Sequence, residues 1–335
     1  MSGNGLVGEI PTEFFSQCRG LRAVSLAGNK FYGQIPNSIG SCGSLLSLNL
    51  SSNRLSGSLP DEILRLTGLK SLDLSSNFLE GEMPRDIGWL INLRTVDFSG
   101  NMMSGEIPES MQKLWMLSSL NLGSNSFSGE VPGWIGEMKW LKVLDLSTNG
   151  FNGSVPDSIG KLEFLERLYL SGNGFVGSLP ESMRNFSSLL EVDFSQNFLM
   201  GDLPSWVFEL GLKKMLISGN KLSGNIQFPT FKDQPLSVLD LSGNQFSGEI
   251  PRDIGKLWKL DLLNLSWNMF SGPIPGSLGE LKSVEVVDLS GNRLNGSIPS
   301  DIGGAVSLKE LRLGKNFLHG GIPIQIGNCS SLTSL

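Results

Sequence analysis

One histidine, three cysteines and 32 acidic residues are the groups from which acid–base or metal chemistry would have to be built in this 335-residue chain. Their spacing assembles no such site. A nucleophilic triad needs an imidazole held between a nucleophile and a carboxylate, and the one histidine, His319, stands where other segments carry serine. A zinc site needs three or four Cys or His ligands brought together. Cys18, Cys42 and Cys329 instead each stand three residues before a leucine (Leu21, Leu45, Leu332), a place taken elsewhere by Leu66, Leu114 and Leu162. The first reading of each cysteine is a small buried hydrophobe in a leucine's place. The second joins Cys18 to Cys42, whose separation suits the Cα distance a disulfide requires. Nucleotide-binding and catalytic-loop signatures of a kinase are missing from the sequence. The expectation is a non-enzymatic segment with no catalytic residue, cofactor or metal.

The elements that must position any functional surface are marked by an asparagine. It recurs at Asn4, Asn29, Asn53, Asn77, Asn101, Asn125, Asn149, Asn173, Asn197, Asn220, Asn244, Asn268, Asn292 and Asn316, and eleven of the thirteen intervals are 24 residues. A fixed period in this range marks a solenoid. Before each asparagine runs L-x-x-L-x-L, as in Leu69-Leu72-Leu74 and Leu141-Leu144-Leu146. Alternation along a strand sends the last two leucines inward and the residues between them to the concave face. The asparagine itself reads as scaffold, its amide bridging one turn to the next because an amide both donates and accepts. Glycine follows at the fourth position in all fourteen repeats and proline at the seventh in thirteen, Gln227 being the exception. Proline suits the start of a segment, and the I-G-x-L stretch after it, as in Ile159-Gly160-Lys161-Leu162, reads as a short helical or 3₁₀ turn on the convex side.

The unit written out by Leu236-Ser237-Val238-Leu239-Asp240-Leu241-Ser242-Gly243-Asn244-Gln245-Phe246-Ser247-Gly248-Glu249-Ile250-Pro251 resembles the plant-specific class of leucine-rich repeat. The G-x-I-P element carries the resemblance, which extends over essentially the whole chain. It implies an α/β solenoid: a plant-type leucine-rich repeat superhelix of about 14 repeats of 24 residues, with a parallel concave sheet and a second short convex-side sheet. That class occurs in ectodomains of plant receptor-like serine/threonine protein kinases, in receptor-like proteins without a kinase and in secreted polygalacturonase inhibitors. Phe15-Ser16-Gln17-Cys18 and the irregular repeat near Gln227 resemble the inflorescence-and-root-apices receptor kinase branch. The resemblance implies an extracellular recognition module at the plasma membrane. It would bind a secreted peptide or other extracellular ligand and pair with a shorter leucine-rich repeat co-receptor. The second function it implies is a protein without a kinase, such as a polygalacturonase-inhibitor-like protein. The net charge of −6 gives no basic footprint for nucleic acid. Neither end carries the polar cap that closes a solenoid core. The sequence therefore reads as one solenoid over residues 1–335, cut from a longer protein and lacking signal peptide, transmembrane helix and kinase. Membrane attachment would come only through segments beyond its C-terminus.

Read by columns, the position four before each asparagine is mostly Asp or Asn, with Tyr169, Leu216 and Arg312 departing from it. The position six before is mostly small or apolar, yet becomes Arg167, Glu191 and Lys214 in three successive repeats. Arg167, Tyr169, Glu191, Asp193, Lys214 and Leu216 are thus expected to form one ligand-binding patch, because exposed Tyr and Arg anchor binding surfaces. Glu310, Arg312 and Lys315, joined by Trp267, are the candidate co-receptor contacts. The region of the ligand-binding patch also holds the irregular repeat: a residue is lost between Phe208 and Leu212, and Gly224–Pro235 lacks the usual proline and I-G-x-L turn; solenoid loops of this kind often bind partners. Of the N-x-S/T sequons, Asn152, Asn185, Asn295 and Asn328 are candidate glycosylation sites in a secreted chain. Asn49 and Asn264 would place glycans on the concave face.

Overall fold

The computed structural model describes residues 1–18, 20–228 and 234–335, which divide into two compact units. The first comprises Met1–Phe175 and Pro180–Ser188, the second Val176–Leu179 and Leu189–Leu335. Each unit is a stack of parallel coils, the architecture the repeat predicts.

In the first unit the concave strands are Ala23–Ser25, Ser47–Asn49, Ser71–Asp73, Thr95–Asp97, Ser119–Asn121, Val143–Asp145 and Arg167–Tyr169. In the second they are Glu191–Asp193, Lys214–Leu216, Val238–Asp240, Leu262–Asn264, Val286–Asp288 and Glu310–Arg312. Within each unit every strand pairs in parallel with the equivalent residues of its neighbours, as in Leu120 opposite Val96 and Leu144. The central residue of each strand is buried and its two neighbours face the concave side.

The asparagines do what their chemistry predicts. Asn77 Nδ2 donates to the carbonyls of Leu50, Leu74 and Ser75, and its Oδ1 accepts the N–H of Leu55 in the preceding coil. The residue before each asparagine is left-handed throughout: glycine in seven coils, and Ser52, Ser76, Ser124, Thr148, Gln196, Trp267 and Lys315 in the others. A second strand follows, such as Ser126–Glu130, and the glycine at the fourth position has positive φ in all fourteen coils. A side chain is strained in that conformation. In the second unit this lateral sheet breaks after Lys221–Ser223: only an isolated bridge, Asn225 to Ser247, precedes the separate strands from Ser247–Glu249 onward. The break coincides with the irregular repeat, of which residues 229–233 lie outside those described. Proline then caps the convex turn, which is 3₁₀ in nearly every coil and α-helical at Thr12–Ser16.

Cys18 and Cys42 are joined by a disulfide with Cα atoms 5.1 Å apart, which corrects the reading of both as leucine substitutes. Stacking brings equivalent positions of successive coils within bonding reach, so a spacing that looked like a core period also builds a bridge. Cys329 does follow that reading, as a buried free thiol. Replacing Cys18 and Cys42 together by alanine is expected to cost about 2–3 kcal/mol. Each coil of a solenoid contacts only its neighbours, so the loss stays local. Hydrogen exchange should rise at Ala23–Ser25 and Ser47–Asn49 and stay unchanged in the second unit. Unchanged exchange in those two strands would show that the bridge does not hold the first coils.

Candidate ligand-binding surface

The concave surface is built first from groups that serve the scaffold. Asp73 Oδ1 accepts from the Ser75 N–H and hydroxyl at 3.1 and 2.7 Å, and the same pattern recurs at Asp97, Asp145, Asp240 and Asp288. These carboxylates close the strand end. Asp73 and Asp97 lie directly opposite one another, an arrangement that is repulsive for like charges. Each is relieved from its other side: Asn49 donates to Asp73 at 2.9 Å and Asn121 to Asp97 at 3.2 Å.

The departures from this scaffold are distributed between the two units. Arg167, exposed, and Tyr169, half-buried, stand on the last concave strand of the first unit. In the second unit Glu191 faces Lys214 and Asp193 faces Leu216 in register, all four half-buried. Asp193 accepts from the Ser195 N–H, so it belongs to the scaffold as much as to any site.

The second cluster is more tightly built than its sequence spacing suggests. Arg312 pairs with Glu310 at 2.6 Å and reaches Asp288 at 3.6 Å. Lys315 Nζ lies 4.4 Å from the centroid of the Trp267 ring. That ring rests on Gly291, where an added Cβ would come within 2.8 Å of it. Trp267 is 56% exposed and its backbone is left-handed, with φ 55°. Left-handed backbone costs a non-glycine residue roughly 1–2 kcal/mol, which offsets what the ring gains by lying on Gly291. Trp267→Gly is therefore expected to leave the unfolding free energy within about 1 kcal/mol of the parent, as measured by chemical denaturation. A larger loss would mark the ring as a structural prop rather than a surface anchor.

The candidate glycan acceptors Asn152, Asn185, Asn295 and Asn328 are all exposed. Asn49 and Asn264 are half-buried, and their Oδ1 atoms accept from Ser51 and Ser266. Among the described residues, no group of three or more His, Cys, Asp or Glu is placed to hold a metal ion, and no helix is long and apolar enough to cross a membrane.

Parallel coils with a concave strand, an asparagine ladder and a lateral G-x-I-P strand define a leucine-rich repeat protein, and the chain is one. A Leucine rich repeat model matches residues 117–175, and a second Leucine Rich Repeat model matches 44–66, 68–90, 92–114, 235–257, 259–281 and 283–305. Among solved structures, a TDR receptor is 34% identical with a TM-score of 0.93, over 100% of this chain and 58% of that one. The PEPR1–AtPEP1 complex is 30% identical with a TM-score of 0.79, over 100% of this chain and 54% of the other. The Arabidopsis receptor kinase HAESA, in complex with the peptide hormone IDA and the co-receptor SERK1, is 28% identical with a TM-score of 0.77, over 99% and 64%. The chain thus spans between 54% and 64% of the length of these three. Comparison with curated proteins found no significant match.

Proposed function

We propose that this chain is the extracellular ligand-recognition segment of a plant receptor-like kinase, binding an extended peptide on its concave face and pairing with a co-receptor. The observation that carries this reading is the likeness to a TDR receptor over the full chain, alongside neighbours solved with a peptide hormone and a co-receptor. The chain's own surface supports it. The column two before each asparagine is almost all Ser, Gly or Ala, a smooth track along which a peptide backbone can lie. Arg167 and Tyr169 in the first unit, and Lys214 and Leu216 in the second, supply side chains of the kind that anchor such ligands. Glu310, Arg312, Lys315 and Trp267 are the proposed co-receptor contacts, and the exposed sequons Asn152, Asn185, Asn295 and Asn328 suit an extracellular setting.

Panning phage-displayed peptides against the secreted chain tests this. Peptides should be enriched, and synthetic versions should lose roughly 30-fold in affinity on Arg167→Glu with Tyr169→Ala, the effect of removing a hot spot. Lys214→Glu with Leu216→Ala is the matching test in the second unit. Absence of enrichment, or affinity unchanged in both variants, would overturn the concave-face reading.

A further inference from the structure

Every concave strand has two flanks. The segment returning from the 3₁₀ turn enters it on one side, and the asparagine turn with the lateral strand leaves it on the other. In the coils between residues 78 and 142 of the first unit, the two flanks differ in charge while both expose apolar side chains.

On the entry flank Ile91, Trp115 and Trp140 are 49%, 57% and 55% exposed in three successive coils. Trp140 stacks on Phe164 of the next coil, with centroids 5.3 Å apart and ring planes 3° from parallel. Arg94, Lys113 and Lys139 are exposed among them. The carboxylates nearby are largely taken: Lys161 holds Glu137 and Lys142 holds Glu166, each at 2.8 Å. Those lysines also keep both acids below the usual carboxylate range. Glu163, beside Phe164, is exposed and joins no ion pair among the described residues.

On the exit flank Phe78 and Met102 are 51% and 49% exposed, and Glu80 lies in register with Met102. Glu82, Glu106 and Glu130 are exposed and lie along Gly105, Gly129 and Gly153 of the following coil, where an added Cβ would meet their Cγ atoms at 2.8–2.9 Å. The three carboxylates therefore form a row at the coil spacing. Residues 78–83, 102–107 and 126–131 contain no lysine or arginine.

We infer that copies of this chain associate side by side, the basic aromatic entry flank of one against the acidic exit flank of the next. Charge complementarity favours this pairing. The common period calls for a partner built of coils at the same spacing, and a second copy brings both complementary rows, the basic aromatic one and the acidic one. Both rows advance once per coil, so matching one pair of coils matches the next. Exposed aromatic and aliphatic side chains at the centre with charges around them are the composition of an interface. Because the two patches differ, the contact is head-to-tail and open-ended.

Analytical ultracentrifugation of the full chain tests this with two blocked variants. The entry variant carries Trp115→Ser, Lys139→Ser and Trp140→Ser, and the exit variant carries Phe78→Ser, Met102→Ser and Glu106→Ser. All six positions are exposed, and circular dichroism confirms that both variants fold. The parent should gain mass with concentration at low salt and lose it as salt rises. Each variant alone should remain monomeric. An equal mixture should form a dimer and stop there, since only one productive pair of flanks remains. A parent that stays monomeric up to about 100 µM, well above the Kd of a specific contact, would overturn the inference. So would variants that associate on their own, or a mixture that does not pair.

Discussion

Replacing Asn77 by alanine is expected to lower the unfolding free energy by about 3–5 kcal/mol, and replacing it by aspartate by more. The reasoning follows each partner of the amide. The Leu50 carbonyl keeps a bond from Asn53, the Leu74 carbonyl keeps one from Asn101, and the Ser75 carbonyl keeps one from the Ser52 N–H. Those three carbonyls therefore stay satisfied, and losing the two N–H groups of Nδ2 costs only the ordinary net value, about 0.5–1.5 kcal/mol each. The Leu55 N–H is different: its acceptor is Asn77 Oδ1 at 3.0 Å, in a buried position. An orphaned buried donor adds about 1–3 kcal/mol. Aspartate keeps that acceptor but turns a second oxygen toward three carbonyls 3.1–3.2 Å from the present Nδ2, with a charge to desolvate. Burial and carbonyl dipoles would raise the pKa of that carboxyl in the folded state. The variant's stability should then be greatest below the ordinary carboxylate range and be lost as pH rises from there through the raised folded-state pKa. Chemical denaturation of the three proteins at neutral and acidic pH checks the order. Aspartate equal to or better than alanine at neutral pH would mean that the ladder is not an interlocked set of carbonyl bonds.

That ladder was legible in the sequence because a period of 24 fixes which residues stack, and an amide is the side chain that can bond both ways. The strand, the lateral glycine and the proline at the turn were legible for the same reason. What a column could not show was backbone hand. The residue before each asparagine is left-handed in all fourteen coils, and glycine in half of them hints at it, but Trp267 and Lys315 mask the rule. Nor could it show pairing between coils. Cys18 and Cys42 share a column with leucines, and only the stacked backbone decides that two thiols there become a bridge. The candidate site was legible as residue types and not as contacts. Arg312 and Glu310 depart from their columns, yet their ion pair to each other depends on how two long side chains turn. Trp267 lies flat because Gly291 has no Cβ, a relation across one coil that no reading along the strand reveals.

Gly136→Leu is expected to cost about 3 kcal/mol or more and to prise apart two convex turns. In the first unit the turns bearing Gly40, Gly88, Gly136 and Gly160 pack closely on the turn that follows, whereas those bearing Leu64 and Gln112 at the same position stand off. The reason is steric. A Cβ added at Gly40 would meet the Glu62 carbonyl oxygen at 2.8 Å, and one at Gly136 would meet the Ser158 oxygen closer still, with the Ser158 Cβ at 2.9 Å. Beside Leu64 the chain shows the alternative: a cleft of about 1070 Å³ lies between the turn Asp61–Arg65 and residues Pro84, Arg85, Asp86 and Trp89. A single methyl at Gly136 should cost about 1–3 kcal/mol by overpacking. Leucine adds the loss of contact between the turns Gly133–Glu137 and Asp157–Lys161. Hydrogen exchange at the Ile159 and Leu162 amides, which close the second of these turns, should rise in the leucine variant. Gln112→Gly, where the following turn already stands off, should cost no more than the propensity difference of roughly 1 kcal/mol. If Gly136→Leu denatured like the parent, turn spacing on the convex side would have to be set by something other than this glycine. Leu64 would then not be the cause of the cleft beside it.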